Sequence, residues 1–249
     1  MKHINRFALL LLTFLISFAA FTLIHTNIVN AATDDVAINE SNFPDERFRT
    51  FISDSFDTDS NGYLSPEEIK CVEEITYFDR NSGEVEDFTG IEYFYSLKKL
   101  NLFNEVTMSL DLRSCTQLEV LSCRNSDFDF INLSGLKSLK SVDCSTMTND
   151  LTKIDLSGCT GLEYLDCSSD YYLKALDLCD CKNIKELICD FSGITTIDLK
   201  ECPNLEIFSC NNCKFKNLDF STVNSIREIY CNDNEMLTID LSGCTSLEN

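Results

Sequence analysis

The chain has 249 residues, which is enough for one or two domains with a sizeable core. It carries 41 acidic and 20 basic residues, and this balance argues against nucleic acid or an anionic membrane as a partner, because phosphate binding needs clustered lysine and arginine. The only histidines, His3 and His25, lie in the apolar N-terminal stretch. The rest of the chain therefore lacks imidazole chemistry, and we expect it not to be an enzyme.

Residues 1–31 are predicted to be a secretory signal peptide. Lys2 and Arg6 form a basic start, residues 7–24 are almost entirely apolar, and small residues lead up to Ala31, after which we expect cleavage. An uncleaved anchor is the alternative, since 18 apolar residues are long enough to span a bilayer. Either way the rest of the chain is predicted to be secreted or at the cell surface, with no membrane insertion after cleavage.

Residues 32–75 are predicted to form a small helical EF-hand module that caps the chain and binds Ca²⁺. The loop DTDSNGYLSPEE at 57–68 matches the D-x-[DN]-x-[DN]-G-x5-E pattern at every fixed position, and helical apolar spacing flanks it on both sides. Gly62 permits the sharp turn, and Tyr63 would contribute its backbone carbonyl. The predicted calcium ligands are Asp57, Asp59, Asn61, Tyr63, Ser65 and Glu68.

The alternative for this segment is a polar turn in which the carboxylates occur by chance. A single loop with three carboxylates predicts weak calcium binding, with a Kd on the order of 10⁻⁴ to 10⁻³ M. Such an affinity is typical of a structural ion held by extracellular calcium rather than of a calcium sensor.

Residues 76–249 are predicted to be an array of repeats, joined to the cap by an irregular unit. Each unit carries an apolar residue three positions after its first leucine or isoleucine and, in most units, a cysteine two positions later, as in LEVLSC and LEYLDC. This L-x-x-L-x-L/C pattern is that of leucine-rich repeats and predicts an α/β solenoid with short parallel strands. Seven complete coils spaced about 4.8 Å apart would be roughly 34 Å long. The units start at Leu97, Leu118, Leu139, Leu162, Ile184, Leu205, Ile226 and Leu247.

Most of the 14 cysteines fall into two columns of this array, and leucine or valine fills the second column in some units. The substitution indicates that the slot is apolar, so we expect buried free thiols. Disulfides, which export would permit, are the alternative, but stacked strands hold neighbouring Cβ atoms about 5 Å apart, too far for a bridge. The columns are Cys123, Cys144, Cys167, Cys189, Cys210 and Cys231, and Cys115, Cys159, Cys181, Cys202 and Cys244.

An apolar-acid-apolar triplet also recurs late in the units, with Asn132 replacing the acid once. We expect its carboxylates to accept backbone N–H groups of the following turns. Ion binding by this row of like charges is the alternative. The acids are Asp111, Asp155, Asp177, Asp198, Asp219 and Asp240.

The repeats resemble those of secreted bacterial leucine-rich repeat surface proteins, particularly the internalin J type, which also run 21 residues and replace a strand leucine with cysteine. The motifs LEVLSC, LEYLDC and LEIFSC and the IDLSGCT segments carry this resemblance. Residues 38–69, followed by FTGIEYF, resemble the EF-hand cap that precedes such arrays in proteins of Gram-positive gut bacteria. Internalins are adhesins, so the resemblance implies adhesion. The complete EF-hand loop is not shared by all internalins, and no cell-wall sorting motif is visible.

Solenoids of this kind present a concave strand face to ligands, and aromatic residues are favoured at the centre of interfaces. A merely solvated surface is the alternative for any one position. The candidate ligand-binding residues on this face are Arg124, Tyr164, Ile188, Ile207 and Tyr230.

The predicted function is that of an extracellular calcium-binding leucine-rich repeat protein, a monomeric adhesin of a bacterial surface that binds a protein or glycan ligand. One alternative is the recognition part of a secreted enzyme whose catalytic domain lies outside this chain. A scaffold partner of the dockerin type ranks last, since dockerins duplicate their calcium loop. The chain stops three residues into a new repeat, so we expect a C-terminally incomplete array.

Overall fold

The structure is a computed structural model that describes residues 34–77, 84–146 and 151–248. The predicted signal peptide lies outside the described residues. Within the described ranges, every helix is too short or too polar to cross a membrane.

The N-terminal part contains two helices joined by the predicted calcium loop. Helix α1 spans Glu46–Phe56 and helix α2 spans Pro66–Cys71. Asp45 caps α1 by accepting hydrogen bonds from two backbone N–H groups of its first turn, and Ser65 forms a capping box with Glu68 at the start of α2. Strand β1, Val36–Ala37, pairs antiparallel with β2, Tyr63–Leu64, so the loop's own strand is paired within this chain.

Among the residues that the structure describes, thirteen further strands follow, and eight of the strands form one parallel sheet in the order β14-β12-β11-β10-β8-β6-β4-β3. The strands are β3 Glu74–Tyr77, β4 Lys99–Leu102, β5 Val106–Asp111, β6 Val120–Ser122, β7 Asp127–Asn132, β8 Ser141–Asp143, β9 Lys153–Asp155, β10 Tyr164–Asp166, β11 Glu186–Ile188, β12 Ile207–Ser209, β13 Asn217–Asp219, β14 Glu228–Tyr230 and β15 Thr238–Asp240. Each repeat places its L-x-L/C segment in this sheet, so the predicted parallel solenoid is confirmed. The boundary predicted after residue 75 lies inside β3, the sheet's first strand.

Two smaller parallel sheets lie at the apolar-acid-apolar triplets, where the sequence analysis predicts no strands. Strands β5, β7 and β9 form one, and β13 pairs with β15 in the other. In these two sheets the apolar residue at the centre of the triplet segment is buried in most strands, as Leu110, Ile131 and Ile154 show, whereas Ile239 in the last strand is exposed. Alternation of one inward and one outward side chain is the geometry of a strand, and stacking of equal units pairs these segments as well.

The cysteine columns lie inside the solenoid, and all 14 cysteines of the chain are free thiols. Their S–H groups lie against carbonyls of adjacent coils, as Cys144 does with the Asp166 oxygen at 3.3 Å and Cys189 with the Ser209 oxygen at 3.3 Å. Burial raises the pKa of the Cys115 thiol to about 12. The columns therefore behave as small apolar plugs with unreactive thiols.

Helix α1 closes the N-terminal end of the solenoid core with aromatic side chains. The ring centroid of Phe48 lies 5.2 Å from that of Phe88, and that of Phe56 lies 5.6 Å from that of Phe94. Phe48 and Phe94 are fully buried, and they belong to the same apolar cluster that runs through the coils to Ile226. The N-terminal segment and the array therefore share one continuous core.

A left-handed residue follows the strand in each coil, two positions after the first cysteine column. The φ angles of these residues range from 54° to 68°. Six of the seven are polar, and four of these are asparagine or aspartate, which adopt left-handed backbone most readily. The seventh is Phe191. They are Asn104, Asn125, Thr146, Ser169, Phe191, Asn212 and Asp233.

A third interior column comes directly after these left-handed residues. In the described coils it holds polar side chains, two of which donate to backbone carbonyls of the preceding coil. The Asn234 amide donates to the Cys210 carbonyl at 2.7 Å, and the Cys213 thiol lies 3.1 Å from the Cys189 carbonyl. Cys213, which lies outside both predicted cysteine columns, belongs to this third column.

Candidate functional site

The loop between α1 and α2 brings carboxylates together at one point. Oxygen atoms of Asp57, Asp59 and Glu68 lie within 4.8 Å of one another. Across the described ranges, this is the one group of three or more histidine, cysteine, aspartate or glutamate side chains that is close enough to share a metal ion. Carboxylate oxygens are the ligands that Ca²⁺ prefers.

Backbone groups hold the carboxylates at the start of the loop. The two Asp57 oxygens accept hydrogen bonds from the Asn61 N–H at 3.1 Å and the Gly62 N–H at 2.9 Å. Asn61 also donates its side-chain amide to Asp59 at 2.9 Å. Gly62 has a φ of 83°, which glycine adopts without strain, so the tight turn depends on this residue.

Glu68 closes the loop from the first turn of α2. It accepts hydrogen bonds from the Thr58 hydroxyl at 2.6 Å and N–H at 2.7 Å, and from the Ser65 hydroxyl and N–H, each at 2.9 Å. The Thr58 hydroxyl bond, followed by the Ser65 N–H bond, lowers the pKa of Glu68 from 4.5 to about 2. Glu68 is therefore ionised at neutral pH and ties the end of the loop to its beginning.

Ser65 and Tyr63, the other predicted ligands, are not part of the carboxylate group. Ser65 uses its hydroxyl in the capping box with Glu68. Tyr63 is exposed, its N–H donates to the Asn61 side chain at 2.8 Å, and the residue pairs with Ala37 in the β1–β2 ladder. The structure thus groups Asp57, Asp59, Asn61 and Glu68, with Ser65 beside Glu68.

The five candidate ligand-binding residues lie on the open side of the main sheet. Middle residues of the strands, such as Leu165, Leu187 and Phe208, are buried, so the first and third residues point away from the core. Tyr164 and Ile207 occupy first positions, whereas Ile188 and Tyr230 occupy third positions. All four are half-buried.

Polar partners fix several side chains of this face. The exposed Arg124, two residues past β6, places its Nε 3.4 Å from an Asp143 oxygen. The Tyr230 hydroxyl donates to Glu228 at 2.5 Å. Desolvation and the nearby Asp166 carboxylate raise the pKa of Tyr164, so it stays a neutral phenol at physiological pH.

A row of alternating charges runs across the main sheet at the N-terminal ends of its strands, and the sequence analysis did not predict it. We call this row the ionic ladder. The residue after each aligned leucine or isoleucine alternates in sign from coil to coil, and neighbours pair at 2.6–2.8 Å in four places. A count of charge at this fixed repeat position would have found it. The ladder consists of Glu73, Lys98, Glu119, Lys140, Glu163, Lys185, Glu206, Arg227 and Glu248.

The acids of the triplets accept backbone N–H groups two residues on, as predicted. Asp155 accepts from the Ser157 N–H at 3.1 Å and hydroxyl at 2.7 Å, and Asp219 accepts from the same groups of Ser221 at 2.9 and 2.6 Å. Asn132 makes the equivalent bonds with Ser134. This column therefore builds turns.

Comparison with known proteins finds similarity in structure only. No model of a protein family matches the chain, and no curated protein does. Internalin C2 from Listeria monocytogenes matches with a TM-score of 0.55 and 17% identity, over 86% of this chain and 96% of that one. A leucine-rich repeat protein from Leptospira interrogans matches with a TM-score of 0.50 and 16% identity, over 73% of this chain and 55% of that one.

The functional domain of InlJ from Listeria monocytogenes, described as including a cysteine ladder, matches with 21% identity and a TM-score of 0.47, over 86% of this chain. This chain spans only about half the length of that domain and of the Leptospira protein, 56% and 55%. The fold is the leucine-rich repeat solenoid, with about seven turns.

Proposed function

We propose that the chain is an extracellular protein-binding adhesin of a bacterial surface that takes its ligand on the open face of the main sheet and holds a structural Ca²⁺ in the loop at 57–68. The observation that carries the binding role is the sheet itself. Eight parallel strands in regular register present paired outward side chains over a span of about 34 Å. No catalytic role is proposed.

The character of the face supports ligand binding. Its outward positions mix aromatic and aliphatic groups, such as Tyr164 and Ile207, with charged ones, such as Glu186. Proteins use this mixture in interfaces, where apolar anchors are surrounded by polar groups. The buried middle residues fix the strand positions, so the face is preorganised and little order has to be gained on binding.

The loop residues fit a calcium ion. Three carboxylates converge, and hard oxygen donors of this kind suit Ca²⁺. Asp57, Asp59, Asn61 and Glu68 would hold the ion, with the Tyr63 carbonyl and Ser65 completing the set. Bound calcium would offset the repulsion among the carboxylates and join the end of α1 to the start of α2. Because α1 closes the core, the ion would stabilise the whole array.

Isothermal titration of the chain lacking residues 1–31 tests the calcium site. We expect one Ca²⁺ per chain with a Kd on the order of 10⁻⁴ to 10⁻³ M. At about 10 mM Ca²⁺ this affinity stabilises the fold by about 1.4 to 2.7 kcal/mol. The double variant Asp57→Ala/Glu68→Ala should lose both effects, whereas Glu67→Ala, at an exposed position of the loop that is not a predicted ligand, should keep them. No binding at millimolar calcium rejects the site.

Site-specific photo-crosslinking tests the binding face. A benzophenone amino acid is placed at Tyr164 or Ile188 on the face, or at Lys137 or Lys182 in the outer turns, and each variant is mixed with extracellular proteins of a host. We expect the same adduct from both face positions and none from the outer turns. Equal labelling from all four positions contradicts the proposal, as does labelling confined to the outer turns.

A further inference from the structure

One turn of the solenoid breaks the rule that the other turns follow. The left-handed position after the strand holds asparagine, aspartate, serine or threonine in six coils, but Phe191 in the coil that contains β11. Asparagine and aspartate tolerate left-handed backbone, whereas a β-branched residue such as Thr146 or a bulky one such as Phe191 adopts it at a cost, and Phe191 alone among the seven is apolar. Phe191 remains 43% exposed, so its burial offsets only part of that cost. Strained residues of this kind concentrate at functional sites.

Two more exposed aromatic residues lie beside Phe191. Tyr171 and Tyr172, 58% and 52% exposed, belong to the turn of the preceding coil. The two turns are joined by hydrogen bonds from the Ser169 N–H to the Asp190 carbonyl at 2.7 Å and from the Gly193 N–H to the Asp170 carbonyl at 3.0 Å. Within the described ranges, the only other large aromatic side chain so exposed is Tyr63. We call Tyr171, Tyr172 and Phe191 the aromatic rim.

The aromatic rim adjoins the acidic part of the strand face. The rim lies in the turns that follow β10 and β11. The outward positions from β10 to β14 contain acids and no lysine or arginine. Basic residues of the face, Lys99 and Arg124, lie at β4 and β6. The half-buried acids beside the rim are Glu186, Asp190 and Glu228, whereas Asp166 of the same strand face is buried.

A cation already lies against one ring of the rim. The Lys174 amino group is 5.9 Å from the centroid of the Tyr172 ring and donates to the Tyr171 carbonyl at 2.6 Å. Cations are attracted to aromatic faces, and guanidinium groups stack on them readily because they are weakly hydrated. The rings of the rim therefore suit positively charged side chains.

We propose that the aromatic rim and the adjoining acidic strand face form a docking surface for a basic polypeptide segment, with arginine side chains stacked on the rings and paired with the carboxylates. This inference rests on the proposed function, since it specifies the chemistry of the ligand on the same face. The net charge of -21 also attracts such a segment from a distance.

The test uses a short fluorescein-labelled peptide of alternating arginine and serine and measures its anisotropy at about 150 mM salt. The matched peptide carries citrulline, which keeps the shape of arginine without its charge. We expect the arginine peptide to bind and the citrulline peptide not to bind. Phe191→Asn should weaken binding about two- to fivefold, the range for an exposed cation–π contact. Its melting temperature should stay equal or rise, because asparagine holds this position in three other coils.

A pair of charge variants distinguishes recognition by acids of the strand face from attraction of the peptide to the net negative charge of the protein. Glu186→Gln removes one acid from the face, and Glu201→Gln makes the same change in an outer turn. We expect weaker peptide binding only in the first. Asp190 is left unchanged, since it accepts hydrogen bonds from Ser209 and Asn211.

Four results would overturn the inference. Equal binding by Glu186→Gln, Phe191→Asn and Glu201→Gln would show general attraction to an acidic protein. Binding of the citrulline peptide as tight as that of the arginine peptide would remove the role of charge. A lower melting temperature of Phe191→Asn would show that the Phe191 ring stabilises the fold. Crosslinking of a neutral or acidic protein at Tyr164 and Ile188 would preserve the binding face while rejecting a basic ligand.

Discussion

Replacement of Phe48 with alanine is expected to open the N-terminal end of the solenoid core. The Phe48 side chain is fully buried, and its ring centroid lies 6.2 Å from that of Phe43 and 5.2 Å from that of Phe88, both edge-to-face. Truncation of a buried phenylalanine to alanine costs about 3–5 kcal/mol, and each lost aromatic pair adds about 0.5–1.5 kcal/mol. Because the measured cost of truncation already includes part of the aromatic-pair energy, the two values do not add in full. We expect a loss of about 4 kcal/mol in the free energy of unfolding.

Urea unfolding followed by far-ultraviolet circular dichroism measures this loss. The matched control is Phe191→Ala, the same chemical change at a side chain that is 43% exposed, and it should alter stability by less than about 0.5 kcal/mol. Because the core runs without a break from α1 to Ile226, the main transition of Phe48→Ala should shift as a whole.

Two results would contradict this reasoning. A loss as small as that of Phe191→Ala would show that Phe48 does not seal the core. A separate early transition, with the main transition unchanged, would show that the N-terminal helices unfold independently of the array.

Three other predictions follow from charge and burial. Lys140→Glu places three acids in a row in the ionic ladder, so its melting temperature should fall by a few degrees, and high salt should reduce the deficit; Lys137→Glu, outside the ladder, is the control. Glu68→Gln should destabilise the calcium-free protein above pH 4.5, and the deficit should vanish as pH falls from 4.5 towards 2, because the folded-state pKa of Glu68 is depressed to about 2. A thiol reagent should label exposed Cys71 and Cys179 in the native protein long before the buried cysteines of the columns, and all 14 cysteines after denaturation.

Each of these predictions has a result that contradicts it. A deficit of Lys140→Glu that persists in high salt would point to a steric rather than an ionic cause. A Glu68→Gln deficit that is independent of pH would show that the carboxylate charge contributes nothing to the folded loop. Labelling of both cysteine columns at the rate of Cys71 would show that the core opens readily.

The sequence predicted what local chemistry and the repeat period determine. The start of α2 is encoded by the capping box of Ser65 and Glu68, and the spacing of leucine and cysteine fixes which residues enter the main sheet. The β1–β2 pair was not predicted, because a strand of two residues such as Val36–Ala37 has no pattern of its own and forms only where the folded loop presents an edge. The closure of the core by Phe48 depends likewise on where α1 lands.

Two other features were not predicted although the aligned repeats indicate them. The alternation of charge at the ionic ladder is visible once the repeats are aligned, and so is the third interior column to which Cys213 belongs. Neither appears in a search for motifs, since each is a relation between coils and not within one. Contacts from one coil to the next are the interactions that hold a solenoid together, so patterns at repeat distance have direct structural meaning.

The same relation separates structural positions from binding positions. Each coil must meet the same backbone demands, so the coils serve as internal controls for one another. Acids in the triplets, polar left-handed residues and alternating ladder charges recur because the turns and stacking require them. A residue that departs from its equivalents and also remains 43% exposed, as Phe191 does, is not explained by those demands. Substitution of Phe191 by the asparagine of its equivalents therefore removes what is particular to this surface while leaving the solenoid intact.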